Sequence, residues 1–555
     1  MRSRDRVVEV GLLITGSTAV LLAALAVPRA GIGWDAGMHT YGALDTRGVD
    51  PNGTLLQAYE QIYGNLEFYG VLVQWIADAI HLLLGGEAFL QPDALVTYQM
   101  QAAVTLALST ASTALVAVVI ARVLKSRIAG IFVWSTTMSL PFVMGHSVVN
   151  AKDMPTAVGL LLVSAGVALL WKKQNIGNFS AATLLVALGV FITLGVRIGA
   201  WPLIGVILIL SLSASTYFSL RSHGWRVLIT QLGVPAAGVL LGLLGIYVLN
   251  PLARIDFLAW AADAFLVSRS YPWEGSIRTL GQDVISTDLP WWYVPSWLGA
   301  QLPVVMLVFV VIGTGYWLLQ SARSVGSLVG HSGFRSSEGQ SLALIPFAVQ
   351  GLVLPAGMVL LNATLYDGIR HVAFMVPALI VLSAPLVVST LSFKPTHLRH
   401  SSWVSYVAGI VVLLVPVSGL VGGFRWFPYM YAYVNPLAAW LDDQRAWEYD
   451  FWGTTVVEGT GRLRQLGVEN VIVSPPIDVT GSGEVLGILL PRDVRSDEEY
   501  GLYVFNRWYA EVPDEGCREV FEIDRGGIVL GKGAICQGDS SLQELSRNVR
   551  VPESK

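Results

Sequence analysis

The chain has 555 residues, 54% of them hydrophobic and 13% charged, and its formal net charge is −4. Soluble globular proteins carry about 25% charged residues, so this composition excludes an ordinary soluble domain. The small negative charge gives no support to nucleic-acid binding. With a mean hydropathy of +0.58, the chain is predicted to be an α-helical polytopic membrane protein.

The apolar runs predict about eleven transmembrane helices, because about 20 apolar residues span the hydrocarbon core. The first run, 10–27, follows three arginines, and its Ala-rich end could pass for a signal-peptide cleavage site. The many later runs favour an uncleaved first helix instead. Those runs lie at about 100–121, 128–145, 156–171, 180–196, 201–219, 227–249, 297–319, 341–363, 372–391 and 402–422.

Basic residues predict the orientation of these helices in the cell membrane. Short cytoplasmic loops are enriched in Lys and Arg, and the first outer loop, 29–98, carries only two Arg against eight acidic residues. The N-terminus is therefore predicted to be cytoplasmic, and the loops 29–98 and 251–296 and the C-terminal tail extracytoplasmic. The basic residues of the alternate loops are Arg122, Lys125, Arg127, Lys172, Lys173, Arg221, Arg226, Arg323, Arg335, Lys394 and Arg399.

Two apolar segments of the outer loops are not counted as spans. The run 68–84 carries Asp78 and His81, and a full span there would put the basic loops outside. We therefore expect this run to lie in the interface or against the helix bundle. We expect a similar half-buried position for 252–266.

The polar tail predicts a second domain. Residues 1–423 form the predicted membrane domain, and 424–555 form a small extracytoplasmic domain of α/β or β type. The two cysteines of the chain, Cys517 and Cys536, both lie in it. An oxidising exterior favours a disulfide between them, whereas a reducing compartment would leave thiols. Strands of the tail are predicted at 471–473, 520–523 and 528–530.

Charged side chains at the outer ends of the predicted helices are the candidates for chemistry. Asp35 follows the first span within 33–39, and its carboxylate could act as a general base on an acceptor hydroxyl. A solvated Asp that caps the next helix is the simpler alternative. Arg197 lies in an otherwise apolar run, which marks it as a functional candidate, although an Arg that snorkels to the interface fits equally well.

Lys152 and Asp153 lie side by side within the segment 146–155, at the predicted start of the fourth helix. Pro155 suits the first turn of that helix, and Asp153 is explained by capping. A Lys is disfavoured at a helix N-terminus, so Lys152 is better explained by an anionic ligand such as a phosphate.

The loop 366–371 holds Asp367, Arg370 and His371. Arg370 and His371 could bind a phosphate and stabilise the charge that develops on it as a leaving group. An Asp367–Arg370 pair that closes a tight turn is an equal alternative. The sequence contains no nucleotide-binding motif and no histidines at metal-ligand spacing. It therefore predicts no cofactor with certainty and leaves a divalent cation open.

Four segments, in this order along the chain, resemble motifs of the GT-C superfamily of membrane glycosyltransferases. Within it, the likeness is to bacterial relatives of the protein O-mannosyltransferase and lipid A aminoarabinose transferase group. The departures are Ala36, where many relatives carry an acid after the first Asp, and the tail after about 455, which matches no family motif. The segments are His146–Pro155 ("H-S-x-x-N-x-K-D-x-P"), Leu289–Pro295 ("P-W-Y-x-P"), Tyr366–His371 ("Y-D/N-G-x-R-H") and Pro428–Asn435 with Tyr449–Gly453 ("P-Y-x-Y-x-Y-x-N … D-Y-W-G").

The resemblance implies a glycosyltransferase that moves a sugar from a polyprenyl-phosphate-linked donor to an extracytoplasmic protein, lipid or cell-envelope glycan. Asp35 and Asp153 are then the catalytic candidates. The predicted ligands of the donor phosphate are Lys152, Arg197, Arg370 and His371. The substrate region is predicted to include Trp34, His39, Asn150 and Tyr366.

Two other functions are weighed against the transferase. A transporter or flippase of lipid-linked sugars should place polar residues along the middle of several spans, whereas the candidates lie at the outer ends. A non-catalytic receptor for envelope polymer leaves the charged residues of the loops unexplained.

Overall fold

The computed structural model describes most of the chain. The residues it describes are 3–33, 36–46, 68, 70–91, 93–171, 176–222, 225–269, 271, 273–329, 338–392, 401–440, 446–475, 484–489, 494–495, 498–507 and 511–537.

A bundle of long apolar helices forms the first part of the structure. Within the described ranges, eight helices are long and apolar enough to cross a membrane, and Arg127–Ser139 with Pro141–Val149 adds a ninth if this bent pair is one span. Most backbone groups of such helices hydrogen-bond within the helix, as a bilayer requires. The eight are Ser3–Ala26, Leu95–Val123, Ile176–Val196, Trp201–Ser222, Trp225–Leu249, Val304–Val329, Met375–Ser392 and Ser401–Trp426.

Two further apolar helices are shorter. Asp153–Leu169 has 17 residues, all of them buried, so neighbouring helices rather than lipid surround it. Ile345–Leu360 is interrupted by a π-turn at Val349–Val353. With these two, the helices account for the eleven predicted apolar runs, although not all are of full spanning length.

The span predicted at 128–145 consists of two helices, Arg127–Ser139 and Pro141–Val149, which are bent by 62° relative to each other. Leu140 is extended, and Pro141 begins the second half, since a proline lacks the N–H that a continuous helix would need. Gly145 in that half lies against Tyr431, where an added Cβ would be 2.0 Å from the Tyr431 backbone nitrogen. The bend therefore seats Pro141–Val149 directly against the segment that follows the last span.

The two apolar segments not counted as spans pack on this bundle. Leu72–Leu83 buries Gln74, Ala77 and Asp78 against Leu95–Val123. Phe257–Arg269 buries only Trp260 and Ala264. An antiparallel hairpin of Ser276–Thr279 with Gln282–Ile285 was not predicted. Short helices and turns lie at Ala36–Asp45, Ile198–Ala200, Leu252–Arg254, Tyr293–Gln301, Glu338–Leu342, Arg370–Val372, Met430–Ala432, Pro436–Trp440 and Glu484–Leu486.

The tail forms a four-stranded sheet with the helix Val456–Gln465 packed against it. The strands Cys517–Arg525 and Ile528–Gln537 form a hairpin that turns at Gly526 and Gly527, whose positive φ angles suit a tight turn. Cys517 and Cys536 are paired opposite each other and their sulfurs are bonded. The strands, in spatial order, are Val471–Ser474, Glu499–Phe505, Ile528–Gln537 and Cys517–Arg525; the first pair is parallel and the others are antiparallel.

Candidate functional site

Asp153 is the centre of a buried ionic cluster. Its carboxylate lies 3.1 Å from Arg197 Nη1 and 3.8 Å from Arg370 Nη1. Arg197 directly follows the helix Ile176–Val196, so its side chain leaves the end of one helix and reaches the start of another. The Asp153 side chain is 3% exposed and that of Arg370 is 1% exposed. Two guanidinium groups at this range favour the ionised carboxylate.

Asn150 organises the start of the helix that carries Asp153. Its Oδ1 accepts from the backbone N–H of Lys152 at 3.2 Å and of Asp153 at 2.7 Å, and its Nδ2 donates to Asp153 Oδ2 at 3.1 Å. Asn150 therefore caps this helix, a role that was predicted for Asp153. The Asp153 carboxylate binds the arginines instead.

Lys152 points to the first outer loop. Its Nζ lies 2.8 Å from His39 Nε2. An ammonium can only donate, so His39 Nε2 accepts this bond and carries no proton. The predicted phosphate ligand and the predicted substrate-region histidine are thus in direct contact.

The loop before the helix Met375–Ser392 surrounds Arg370 with partners. Arg370 Nη2 lies 3.0 Å from Asp367 Oδ2, so the turn-closing pair considered in the sequence is present. Asp367 and Gly368 both have positive φ, 57° and 70°, which bends the chain back on itself. The Arg370 guanidinium also lies 4.6 Å from the centre of the Tyr366 ring and 5.2 Å from that of Trp452, within cation–π range.

His371 is placed beside the cluster as a neutral group. Its ring meets the Tyr366 ring edge-on, with 4.4 Å between centroids. Burial, assisted by the positive charge of Arg370, holds the pKa of His371 well below its ordinary value. Burial also raises the pKa of the Tyr366 hydroxyl. Both side chains can offer hydrogen bonds to an anion, but neither adds charge at neutral pH.

The C-terminal domain contributes Arg507, which was not predicted as a site residue from the sequence. Its Nη2 lies 3.4 Å from Asp367 Oδ1, and its Nη1 donates to the Phe451 carbonyl. Glu448 is close by: burial and the charge of Asp367 raise the pKa of its carboxyl well above the usual range. No local motif marks Arg507, because it lies in the tail and is 140 residues from its partner.

A second buried acid, Asp450, fixes the position of the segment that carries Trp452 through several hydrogen bonds. Asp450 accepts from the Tyr431 hydroxyl, from the backbone N–H of Thr454 at 3.0 Å and from that of Thr455 at 3.2 Å. Burial raises the pKa of Asp450 to about 6, although the hydrogen bonds from Thr455 oppose the rise. Asp450 and Trp452 belong to the last motif segment, but no role was predicted for them from the sequence.

A cavity opens next to the ionic cluster. Lys152, Asn150, His39 and Trp452 line part of it. Asp35 and Trp34, the predicted base and its neighbour, lie outside the described residues. Gly33 and Ala36, which flank them in the sequence, both line the cavity, and the adjacent Gly31 is so close to Thr454 that an added Cβ would be 1.9 Å from its carbonyl oxygen.

The arrangement carries more positive than negative charge. Among the described residues, Lys152, Arg197, Arg370 and Arg507 are opposed by Asp153, Asp367 and the more distant Asp450, while the raised pKa of Glu448 favours its neutral form. A phosphate would complete this balance. Across the described ranges, no group of three His, Cys, Asp or Glu side chains could hold a metal ion.

Comparisons with known proteins found a likeness among solved structures. No family model matches the chain, and no curated protein matches it in sequence. Among solved structures, it is similar to ArnT from Cupriavidus metallidurans bound to undecaprenyl phosphate, with a TM-score of 0.49 and 12% identity, over 96% of this chain and 98% of that one. At this TM-score and identity, the likeness assigns neither a fold family nor an activity to this chain.

Proposed function

We propose that this protein is a membrane glycosyltransferase of GT-C type that moves a sugar from a polyprenyl-phosphate-linked donor to an extracytoplasmic acceptor. The observation that supports this most is the meeting of four distant segments. Asp153, Arg370 and Trp452 come from three of the four motif segments and are in contact. Tyr293 comes from the remaining one, and its hydroxyl donates to the Gly368 carbonyl at 3.1 Å.

The donor phosphate would bind to the cations of the cluster. Lys152 and Arg370 would neutralise its charge, Arg197 would add to the field, and His371 would donate a hydrogen bond. These groups would stabilise the phosphate as it leaves with the electron pair of the C1–O bond. A donor of this kind would keep its polyprenyl chain in the lipid and its phosphate at the interface, and side chains at helix ends would be within reach of that phosphate.

The two acids would have different roles. Asp35 would accept the proton of the acceptor hydroxyl while the hydroxyl oxygen bonds to the anomeric carbon. Asp153 is already paired with two arginines, so it is a weak base and would instead position those arginines.

The location of the cluster also bears on the transporter alternative. Asp153 begins its helix, Arg197 follows one, and Arg370 precedes one. Charged groups at helix ends suit a surface-facing transferase better than a path through the middle of the spans.

The test is a set of three variants in a deletion strain, with mass spectrometry of envelope glycans and lipid-linked sugars. Asp35→Asn should lower turnover by at least about 100-fold, since general-base catalysis contributes about 10²–10⁴-fold, while donor binding persists. Lys152→Ala and Arg370→Ala should weaken donor binding instead. Asp263→Asn and Arg254→Ala change exposed outer side chains and are the matched controls. Normal glycans with all three site variants folded would refute the transferase.

A further inference from the structure

The cavity beside Lys152 has a wall that is polar but uncharged. Gln74 from the helix Leu72–Leu83 and Tyr98 and Gln101 from the helix Leu95–Val123 form it. Among the described residues that line the cavity, Lys152 is the one with a full charge. Neutral amide and hydroxyl groups of this kind hydrogen-bond well to the hydroxyl groups of a sugar, and they add no charge opposite to that of Lys152.

A chain of hydrogen bonds fixes which way the two amides point. Asp78 Oδ1 accepts from the Leu90 backbone N–H at 3.0 Å, an unambiguous donor, and lies 2.8 Å from the Gln74 amide. Gln74 must therefore turn its NH₂ group to Asp78, which leaves its Oε1 to accept from Gln101. The oxygen and nitrogen of an amide are usually assigned from their hydrogen-bond partners. Here the Leu90 N–H identifies Asp78 Oδ1 as an acceptor, and this fixes the orientation of both amides.

The chain ends in an acceptor. Both hydrogens of the Gln101 amide are used, one by Gln74 and the other by Thr40 Oγ1 at 2.9 Å. Gln101 Oε1 is therefore oriented as an acceptor, and no hydrogen bond among the described residues uses it. Because Gln101 lines the cavity, the group that completes it must be a donor such as a hydroxyl.

We propose that this cavity binds the sugar of the lipid-linked donor, and that this sugar is uncharged, with a hydroxyl that donates to Gln101 Oε1. The inference rests on the proposed function and deepens it. Lys152 and Asn150 belong both to the cavity and to the cluster around Asp153, so a sugar here is adjacent to its phosphate. A cationic amino sugar would instead be repelled by the Lys152 ammonium, and the neutral amides of the wall would not offset this repulsion.

The experiment measures the binding of three lipids to the purified full-length protein in nanodiscs. The probes are a polyprenyl phosphate, the same lipid with a neutral hexose, and the same lipid with an amino sugar. The hexose lipid should bind about tenfold more tightly than the bare lipid, since one added hydrogen bond contributes about that factor. The amino-sugar lipid should bind no more tightly than the bare lipid.

Two variants at one position test the assigned contact. Gln101→Met keeps the size of the side chain and should abolish the tenfold preference, with unchanged affinity for the bare lipid. Gln101→Glu places a carboxylate at the same point and should raise the affinity for the amino-sugar lipid by about tenfold. This second variant keeps the test open if Gln101→Met does not fold. Gln320→Met, on the helix Val304–Val329, where its amide donates to the Tyr316 hydroxyl, is the control.

The outcomes separate the two proposals. Equal binding of hexose and bare lipids, tighter binding of the amino-sugar lipid, or no response to Gln101→Glu would overturn the neutral-sugar assignment alone. Failure of the wild-type protein to bind any polyprenyl phosphate would overturn the proposed function, and this inference with it.

Discussion

The Asp153 carboxylate lies between the guanidinium groups of Arg197 and Arg370 and also accepts from Asn150. A carboxylate with three such partners strongly favours its ionised form, because protonation would weaken all three interactions. Breaking a buried pair of this kind leaves an uncompensated ion, at a cost of about 3–5 kcal/mol. Substitutions of Asp153 should therefore affect folding as well as activity, which makes Asp35→Asn the cleaner test of the base.

Asp450 predicts a dependence of stability on pH. Its pKa of about 6 in the folded protein is above the ordinary 3.8, so the folded state holds this proton more tightly than the unfolded state does. The stabilisation is then fully present below about pH 4 and is lost as pH rises towards 6, with a magnitude on the order of 3 kcal/mol. Apparent melting temperatures between pH 4.5 and 7 should show this fall. Asp450→Asn should flatten the curve, and an equal slope in both proteins would contradict the assignment.

At the scale of elements, the bent helix pair carries the site. Pro141–Val149 approaches Tyr431 through Gly145, and an added Cβ there would overlap the Tyr431 backbone. Gly145→Ala should therefore separate the helix from Met430–Ala432 and shift Asn150 at its end. We expect a lower melting temperature and weaker donor binding.

The control for Gly145→Ala is Gly315→Ala in a lipid-spanning helix, where nothing lies within 4 Å of the added methyl group. Gly315→Ala should change neither the melting temperature nor donor binding by more than a small amount, because alanine is a better helix former. Equal effects of the two substitutions would show that the close approach at Gly145 has no special part in the site.

Apolar periodicity and length were sufficient to predict where the helices lie, because each run must satisfy its own backbone inside the bilayer. They could not predict that protein surrounds Asp153–Leu169 along its whole length. Contact with protein and contact with lipid both favour apolar residues, so the sequence does not distinguish them. The hairpin at Ser276–Thr279 was missed because four-residue strands leave too little alternation to detect. The strands at 471–473 and 528–530 were found from their β-branched residues.

Orientation across the membrane is a property of the whole molecule and stays a prediction. If the basic loops are cytoplasmic, a reporter fused after Arg399 should report the cytoplasm, and one after Gly459 the exterior. The same side for both fusions would contradict this orientation, because an extra or missing span would then separate the motif segments. The motif segments would then not share one face.

The site shows what local sequence can and cannot supply. Lys152, Arg197 and Arg370 were predicted because a charge next to an apolar run is unusual and therefore informative, and Tyr366 was predicted from the resemblance. Their convergence was expected only from the resemblance. The contact between Asp367 and Arg507 joins residues 140 positions apart, and neither composition nor spacing in the tail indicates it. Long-range pairs of this kind are a product of the folded domain arrangement.

That contact predicts that the C-terminal domain helps to position the donor site. Arg507 binds Asp367, and Asp367 binds Arg370, so the guanidinium proposed to hold phosphate is supported from the tail. Arg507→Met would remove one of the arginines that bind Asp367 and draw the Arg370 guanidinium towards this carboxylate. Affinity for the bare polyprenyl phosphate should fall by about tenfold in folded protein, and Arg507→Lys should restore part of it. Arg518→Met, which changes an exposed side chain of the same sheet, should bind normally. A loss of melting temperature with normal affinity in Arg507→Met would leave Arg507 as a purely structural residue, because positioning requires the phosphate affinity to move with it.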